Sequence, residues 1–155
     1  MPHRVDLWDG SNQSSNSYST MTLPKILSVD DSRTMRMMVK RVFRPFHCEL
    51  FEAADGMEGL EALITHQPDL IVLDYNMPVM DGVAMLRKMR EHDNIKRTPV
   101  IMLTAEDSNE IISTVARLGV RDYIIKPFED ENLLSKVSRI INLERKPEPD
   151  QTEAV

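Results

Sequence analysis

The sequence has few of the features that mark several common classes of protein. Cys48 is the only cysteine among 155 residues, so the chain can form neither an intramolecular disulfide nor a zinc site built from cysteines. No apolar run approaches the ~20 residues that a membrane-spanning helix requires. The N-terminal residues also lack the apolar segment of a signal peptide. These absences predict a cytoplasmic protein without a membrane partner.

Basic residues are in the minority. The chain has 19 Lys and Arg against 25 Asp and Glu, which gives a formal net charge of -6. This balance argues against nucleic acid as a partner, because phosphate binding requires a basic surface. The five glycines form neither a G-x-G-x-x-G motif after a strand nor a P-loop, and the chain has no G-x-S-x-G motif. Nucleotide-binding and serine hydrolase motifs are therefore missing.

The composition divides the chain into three parts. Residues 1–22 are polar and rich in serine and asparagine, which predicts a disordered leader. Residues 23–143 carry the apolar periodic segments and form the expected domain. Residues 144–155 contain two prolines and several charges, and we expect them to be a disordered acidic tail. Since those last residues are too few to fold, we expect no output domain after the central one.

Five strand-like segments alternate with five helical ones. Apolar runs with strand character occupy Lys25–Asp30, His47–Ala53, Leu70–Asp74, Pro99–Thr104 and Arg121–Ile125. Apolar residues at helical spacing follow each run, such as Met57, Leu60 and Ile64 in the second helix and Val83, Leu86 and Met89 in the third. Asp107 and Glu110 have the spacing of a capping box before the fourth helix. The alternation predicts an α/β fold, with a doubly wound parallel sheet of five strands.

The first helix has two distinct faces. The apolar face is formed by Met35, Met38, Val39 and Val42. The basic face is formed by Arg33, Arg36, Lys40 and Arg44. The basic face is either a solvated surface or a docking surface for an acidic partner.

Polar side chains follow four of the five predicted strands. Asp30 and Asp31 end the first strand, Asp74 the third, Thr104 the fourth and Lys126 the fifth. Ligands bind at the carboxyl ends of such strands, although Asp74 alone is equally compatible with a turn or cap carboxylate. Three carboxylates repel one another, and Mg²⁺ would relieve this repulsion. The pattern favours phosphoryl transfer to Asp74, with Lys126 and Thr104 facing the phosphoryl group.

Four separated motifs occur together in one order: Val29–Ser32, Leu73–Gly82, Leu103–Ala105 and Ile125–Phe128. Together they resemble the receiver domain of two-component response regulators, over about residues 24–143. The resemblance implies a flavodoxin-like (βα)5 fold with strand order 2-1-3-4-5. It also implies a stand-alone receiver, similar to chemotaxis-type regulators or to phosphorelay intermediates.

The resemblance implies a role for each residue of the predicted metal site. Asp74 corresponds to the phosphoacceptor and is also a Mg²⁺ ligand. Asp31 corresponds to a direct Mg²⁺ ligand, and Asp30 to the carboxylate that acts through a metal-bound water. Asn76 corresponds to the residue whose backbone carbonyl binds the metal.

Further residues correspond to the conformational switch of the family. Thr104 and Tyr123 are the implied switch residues, and Lys126–Pro127 is an implied cis peptide whose lysine binds the phosphoryl group. Asn76 and Glu106 correspond to positions that tune dephosphorylation. Judged without the family, Tyr123 is better explained as a strand-edge aromatic residue, because strands are rich in aromatic residues.

The implied function is a phosphorylation switch. A sensor histidine kinase would donate the phosphoryl group to Asp74, and a downstream target would bind the face made by the fourth helix, the fifth strand and the fifth helix. Such a protein is not an enzyme beyond its own phosphorylation and dephosphorylation. Two alternatives stay open at this point: a Mg²⁺-dependent aspartyl-phosphate phosphatase and a flavodoxin-like binding module.

Overall fold

Five short apolar segments form the strands of one sheet in the computed structural model, which describes residues 22–149. Five helices alternate with them. The elements are β1 (Lys25–Val29), α1 (Arg33–Phe43), β2 (Glu49–Ala53), α2 (Gly56–His66), β3 (Leu70–Asp74), α3 (Gly82–Arg90), β4 (Val100–Thr104), α4 (Asn109–Arg117), β5 (Asp122–Ile125) and α5 (Asp130–Ser138).

The sheet is parallel throughout, with the order β2-β1-β3-β4-β5. Both the α/β class and the expected strand order are therefore confirmed. Val29 at the end of β1 is level with Leu73, and Asp74 is level with Leu103, one residue before Thr104. This register aligns the carboxyl ends of the three central strands at one edge of the sheet.

Helices cover both faces of the sheet. Buried side chains of α2, α3 and α4 pack on one face, and those of α1 and α5 pack on the other. Every residue of β3 and β4 is buried, since neighbouring side chains of these strands enter opposite layers. This double coverage explains why the two segments are unbroken apolar runs. Among the described residues, no helix combines the length and the apolarity needed to cross a bilayer.

Side-chain caps fix where several helices begin. The Ser32 hydroxyl accepts a hydrogen bond from the Met35 amide at 3.3 Å, and the Asp81 carboxylate accepts one from Ala84 at 2.8 Å. The capping box predicted from Asp107 and Glu110 is wrong, because Ser108 is the N-cap of α4.

Gly82 allows α3 to start directly against the end of β3. Its amide donates a hydrogen bond to the Tyr75 carbonyl at 3.0 Å. A Cβ atom at this position would overlap the carbonyl oxygen of Asp74. The glycine therefore permits the close approach that holds the end of β3 in place.

The first residues of the predicted disordered tail, 144–146, are exposed but contact the domain. The Glu144 carbonyl accepts a hydrogen bond from the His47 amide at 2.8 Å, and the Lys146 amide donates one to the Pro45 carbonyl at 2.7 Å. The Arg145 guanidinium lies 5.4 Å from the centre of the Phe46 ring. Backbone pairing does not require apolar side chains, so a charged composition does not exclude it. Residues 1–21 of the predicted leader and 150–155 of the tail lie outside the described residues.

Candidate functional site

The aligned strand ends bring three carboxylates together. One carboxylate oxygen from each of Asp30, Asp31 and Asp74 lies within 4.8 Å of the others. Asp30 and Asp74 are only 2% and 5% exposed, whereas Asp31 is exposed. Buried carboxylates are uncommon unless they are paired or bind a metal, so this cluster is a candidate functional site.

Backbone and side-chain hydrogen bonds fix Asp30. Its Oδ1 accepts from the Ser32 amide at 2.9 Å, and its backbone carbonyl accepts from Arg36 Nη1 at 2.7 Å. Arg36 also forms an ion pair with Glu52, with 3.4 Å between Nε and Oε1. The sequence places Arg36 on the outer basic face, but its side chain is only 18% exposed. Helical periodicity did not reveal this contact, because Arg36 lies on the boundary between the two faces.

Lys126 connects the end of β5 to the carboxylates. Its Nζ lies 2.8 Å from Asp74 Oδ1 and 3.1 Å from Asp30 Oδ2. The peptide between Lys126 and Pro127 is cis. The Lys126 amide donates to the Thr104 carbonyl at 2.8 Å, which fixes the strand end next to β4. One ammonium therefore bonds to both buried carboxylates.

The charges in the site are not balanced. Burial raises the pKa of Asp74; the hydrogen bond from Lys126 opposes this rise, and the charges of Asp30 and Asp31 add to it. Burial acts to lower the pKa of Lys126, but the two bonded carboxylates outweigh it and leave the pKa raised. With three carboxylates and one ammonium, the cluster favours a further positive charge.

The carboxylate cluster suits a hard divalent cation. All three donors are oxygens, Asp31 is open to solvent, and the second oxygen of Asp74 is not bonded to Lys126. Mg²⁺ binds through one or two carboxylates together with waters, so Asp31 and Asp74 can hold it, with Asp30 alongside.

Thr104 lies at the end of β4 and is 2% exposed. Its hydroxyl accepts a hydrogen bond from the Glu106 amide at 3.1 Å and lies 3.2 Å from the Glu106 carbonyl, to which it donates. The hydroxyl is thus engaged with the loop that leads into α4. Tyr123 is level with Met102 on the neighbouring strand, is half-buried, and packs against the core on the α2–α3 side.

The remaining predicted residues lie on loops that follow the strand ends. Asn76 and Glu106 are exposed, two residues beyond Asp74 and Thr104 respectively. Two structural contributors were not identified from the sequence as parts of the site: Arg36, described above, and Gly82. The only sequence signal for Gly82 was the turn character of the loop.

Comparisons with known proteins agree with this geometry. Residues 26–138 match the family model described as the response regulator receiver domain. Chemotaxis protein CheY-3 of Vibrio cholerae is 41% identical over 117 residues, which are 75% of this chain and 90% of that protein. Chemotaxis protein CheY of Pseudomonas aeruginosa is 39% identical over 117 residues, 75% of this chain and 94% of that protein.

Solved structures give the same result. The chemotaxis protein CheY4 of Vibrio cholerae, crystallized at low pH, superposes with a TM-score of 0.73 at 36% identity. The match covers 77% of this chain and 100% of that chain. The expected family is confirmed on sequence and on structure: the chain belongs to the response regulator receiver domain family and is a receiver of the CheY type.

Proposed function

We propose that the protein accepts a phosphoryl group on Asp74 from a sensor histidine kinase and signals through a change of its surface. The observation that carries the proposal is the buried Asp74 carboxylate, held by Lys126 beside Asp30 and Asp31. The chemotaxis proteins among the relatives support a role in chemotaxis or a related phosphorelay. The proposal includes a cytoplasmic location, which the single cysteine, Cys48, supports.

The reaction requires little covalent chemistry from the protein. An oxygen of Asp74 attacks the phosphorus of the donor, a P–O bond forms, and the P–N bond to the donor histidine breaks. The electron pair of that bond stays on the imidazole nitrogen. Lys126, which bonds to Asp74, would balance charge on the phosphoryl oxygens, and Mg²⁺, when bound by Asp31 and Asp74, would supply further neutralisation.

We assign the output to Thr104 and Tyr123. The Thr104 hydroxyl bonds to the backbone of Glu106, and a phosphoryl group on Asp74 offers it a stronger, charged acceptor. Movement of Thr104 toward that acceptor would release the loop before α4. Tyr123, half-buried on β5, would then turn inward and change the face formed by α4, β5 and α5.

No observation favours the two alternative functions. Asn76 occupies the position where an aspartyl-phosphate phosphatase would need a second acid. Asp30 and Asp31 follow β1, where a flavodoxin-like module binds its FMN phosphate, and they would repel that phosphate.

The test compares NMR spectra with and without beryllofluoride, a phosphoryl mimic, in the presence of Mg²⁺. We expect shifts across residues 104–130 in the wild type, smaller ones in Thr104→Ala, and none in Asp74→Asn. The Thr104→Ala variant should still accept a phosphoryl group, which separates the switch from the acceptor. Shifts concentrated on α1, around Arg36 and Lys40, would contradict the assigned output face.

A further inference from the structure

Positive charge is concentrated on one helix of this acidic protein. The stretch from Arg33 to Arg44 contains five basic residues and no acidic one, although the whole chain has a net charge of -6. The first turn of α1 also lacks the acidic residues that commonly favour a helix N-terminus. This distribution gives α1 a cationic surface.

The intramolecular ion pairs balance only part of this charge. Glu52 lies 3.4 Å from Arg36 and 3.9 Å from Lys40, and Asp130 lies 3.1 Å from Arg41. Within residues 22–149, no carboxylate oxygen lies within 4.0 Å of the charged groups of Arg33, Arg44 or Lys146. These three exposed cations are the charge that remains to be balanced.

The basic residues line two clefts beside α1. Two adjoining clefts of about 400 and 260 Å³ share Lys40 and Arg44. We call the surface formed by these two clefts the basic groove. Its lining includes the cations Arg33, Arg36, Lys40, Arg44 and Lys146. Within residues 22–149, Glu52 is the only acidic residue in its lining, and apolar contact comes from Met37, Phe43, Phe46, Cys48 and Leu50. Lys146 lines the same cleft as Cys48.

Acidic residues follow Lys146 along the chain. The Lys146 amide donates a 2.7 Å hydrogen bond to the Pro45 carbonyl, which holds Lys146 at one end of the groove. Glu148, Asp150 and Glu153 follow within seven residues, and no Lys or Arg occurs between 147 and 155. Seven residues reach at most ~23 Å when extended, and the path along α1 from Arg44 to Arg33 is about 16 Å. The acidic residues can therefore reach the whole groove.

We propose that the basic groove binds the acidic segment of residues 148–153 of the same chain. A segment tethered this closely has an effective concentration in the millimolar range, which favours it over a separate acidic protein of similar charge. The bound carboxylates would balance Arg33, Arg44 and Lys146. The apolar floor of the groove would contact the intervening side chains. Binding of the segment in the basic groove would not require phosphorylation of Asp74.

The test uses the full chain in two forms, the wild type and the variant Glu148→Gln/Asp150→Asn/Glu153→Gln. We expect amide NMR signals of residues 33–52 to differ between them at low salt. The difference should disappear near 1 M salt, where the screening length is about 3 Å. Identical signals for residues 33–52 at low salt would overturn the proposal.

Charge reversal on the groove provides the reciprocal test. In Arg33→Glu/Arg44→Glu, neutralising the three acids of the tail should no longer change the amide signals of residues 33–52. Changing the same three acids to lysine in this charge-reversed variant should again change those signals, because the opposite charges attract. Arg139→Glu, an exposed basic position outside the groove, is the matched control and should leave the effect unchanged. If an added acidic peptide binds the wild type and the tail-neutral variant equally, the occupant is an external partner, and the intramolecular assignment is wrong.

Discussion

Lys126 and Asp74, which lie on neighbouring parts of one sheet edge, form the closest ion pair of the carboxylate site, with 2.8 Å between Nζ and Oδ1. The same ammonium lies 3.1 Å from Asp30. Lys126 therefore balances part of the charge of two buried carboxylates, and Asp31 adds a third negative charge close by. The site is assembled and under electrostatic repulsion before any phosphoryl group arrives.

The raised pKa of Asp74 predicts a pH-dependent stability. The folded-state pKa of Asp74 is raised above its usual value of 3.8, chiefly by burial. Between these two pKa values the folded state binds more protons than the unfolded state, so the free energy of unfolding falls as the pH rises through that interval. Asp74→Asn removes this contribution. Urea unfolding in a chelator should show that the wild type loses stability relative to Asp74→Asn on going from pH 4 toward neutral pH; a constant difference would contradict the prediction.

Mg²⁺ should stabilise the folded protein through the same carboxylates. A ligand present at ten times its dissociation constant adds about 1.4 kcal/mol, which corresponds to a rise of roughly 3–6 °C in the melting temperature. Asp31→Asn should lose most of this rise. Asp93→Asn, at a carboxylate that is 91% exposed and outside the cluster, is the control and should keep it. An equal Mg²⁺ response in Asp31→Asn would place the metal elsewhere.

The close approach of α3 to β3 predicts a severe effect of Gly82→Ala. The new methyl group would overlap the backbone of Asp74, which has little freedom to move, so we expect a loss of about 2–3 kcal/mol in the free energy of unfolding. Gly59→Ala is the comparison, because its methyl group would meet the flexible end of Met85 and should cost less. Chemical denaturation measures both. A Gly82→Ala variant as stable as the wild type would mean that the approach is not required.

Asn76 and Glu106 should set the lifetime of the phosphoryl group. Both are exposed on loops two residues beyond Asp74 and Thr104, and these small polar and acidic side chains leave room for an attacking water. We expect a short-lived switch in the wild type. In Asn76→Arg/Glu106→Lys, decay of radiolabelled phosphoprotein should change severalfold. Glu110→Lys, at a position on α4 that is also exposed, should decay as the wild type does. An unaltered decay rate in the double variant would remove the assigned role.

The sequence predicted the sheet better than the helix faces. Runs such as Leu70–Leu73 can be buried only between two layers, so their location followed from apolarity. In α2, however, Met57 and Ile64 are 53% and 55% exposed, and Leu63 is fully buried. Gly59 explains why Leu63 is buried in place of Met57 and Ile64. The helix face that contains this glycine can approach Val29 and Met85 closely. Apolar periodicity depends only on which side chains are apolar, so it does not predict where a helix backbone approaches its neighbours closely.

The site could be predicted in composition but not in detail. Parallel strands place their carboxyl ends together, so the grouping of Asp30, Asp74, Thr104 and Lys126 followed from topology. Which oxygen each donor binds depends on loop conformation, which spacing does not determine. The cap of α4 shows the same limit, since both Asp107 and Ser108 are competent N-cap residues and only the path of the loop selects Ser108.

The identity of the phosphoacceptor is the claim on which the proposed function rests. Intact-mass spectrometry after incubation with acetyl phosphate and Mg²⁺ tests it directly, with peptide mapping to locate the modification. We predict the added mass of one phosphoryl group on the wild type, located on Asp74, and no addition without Mg²⁺ or in Asp74→Asn. An adduct of equal yield in Asp74→Asn, or one mapped to Asp30 or Asp31 in the wild type, would contradict the account.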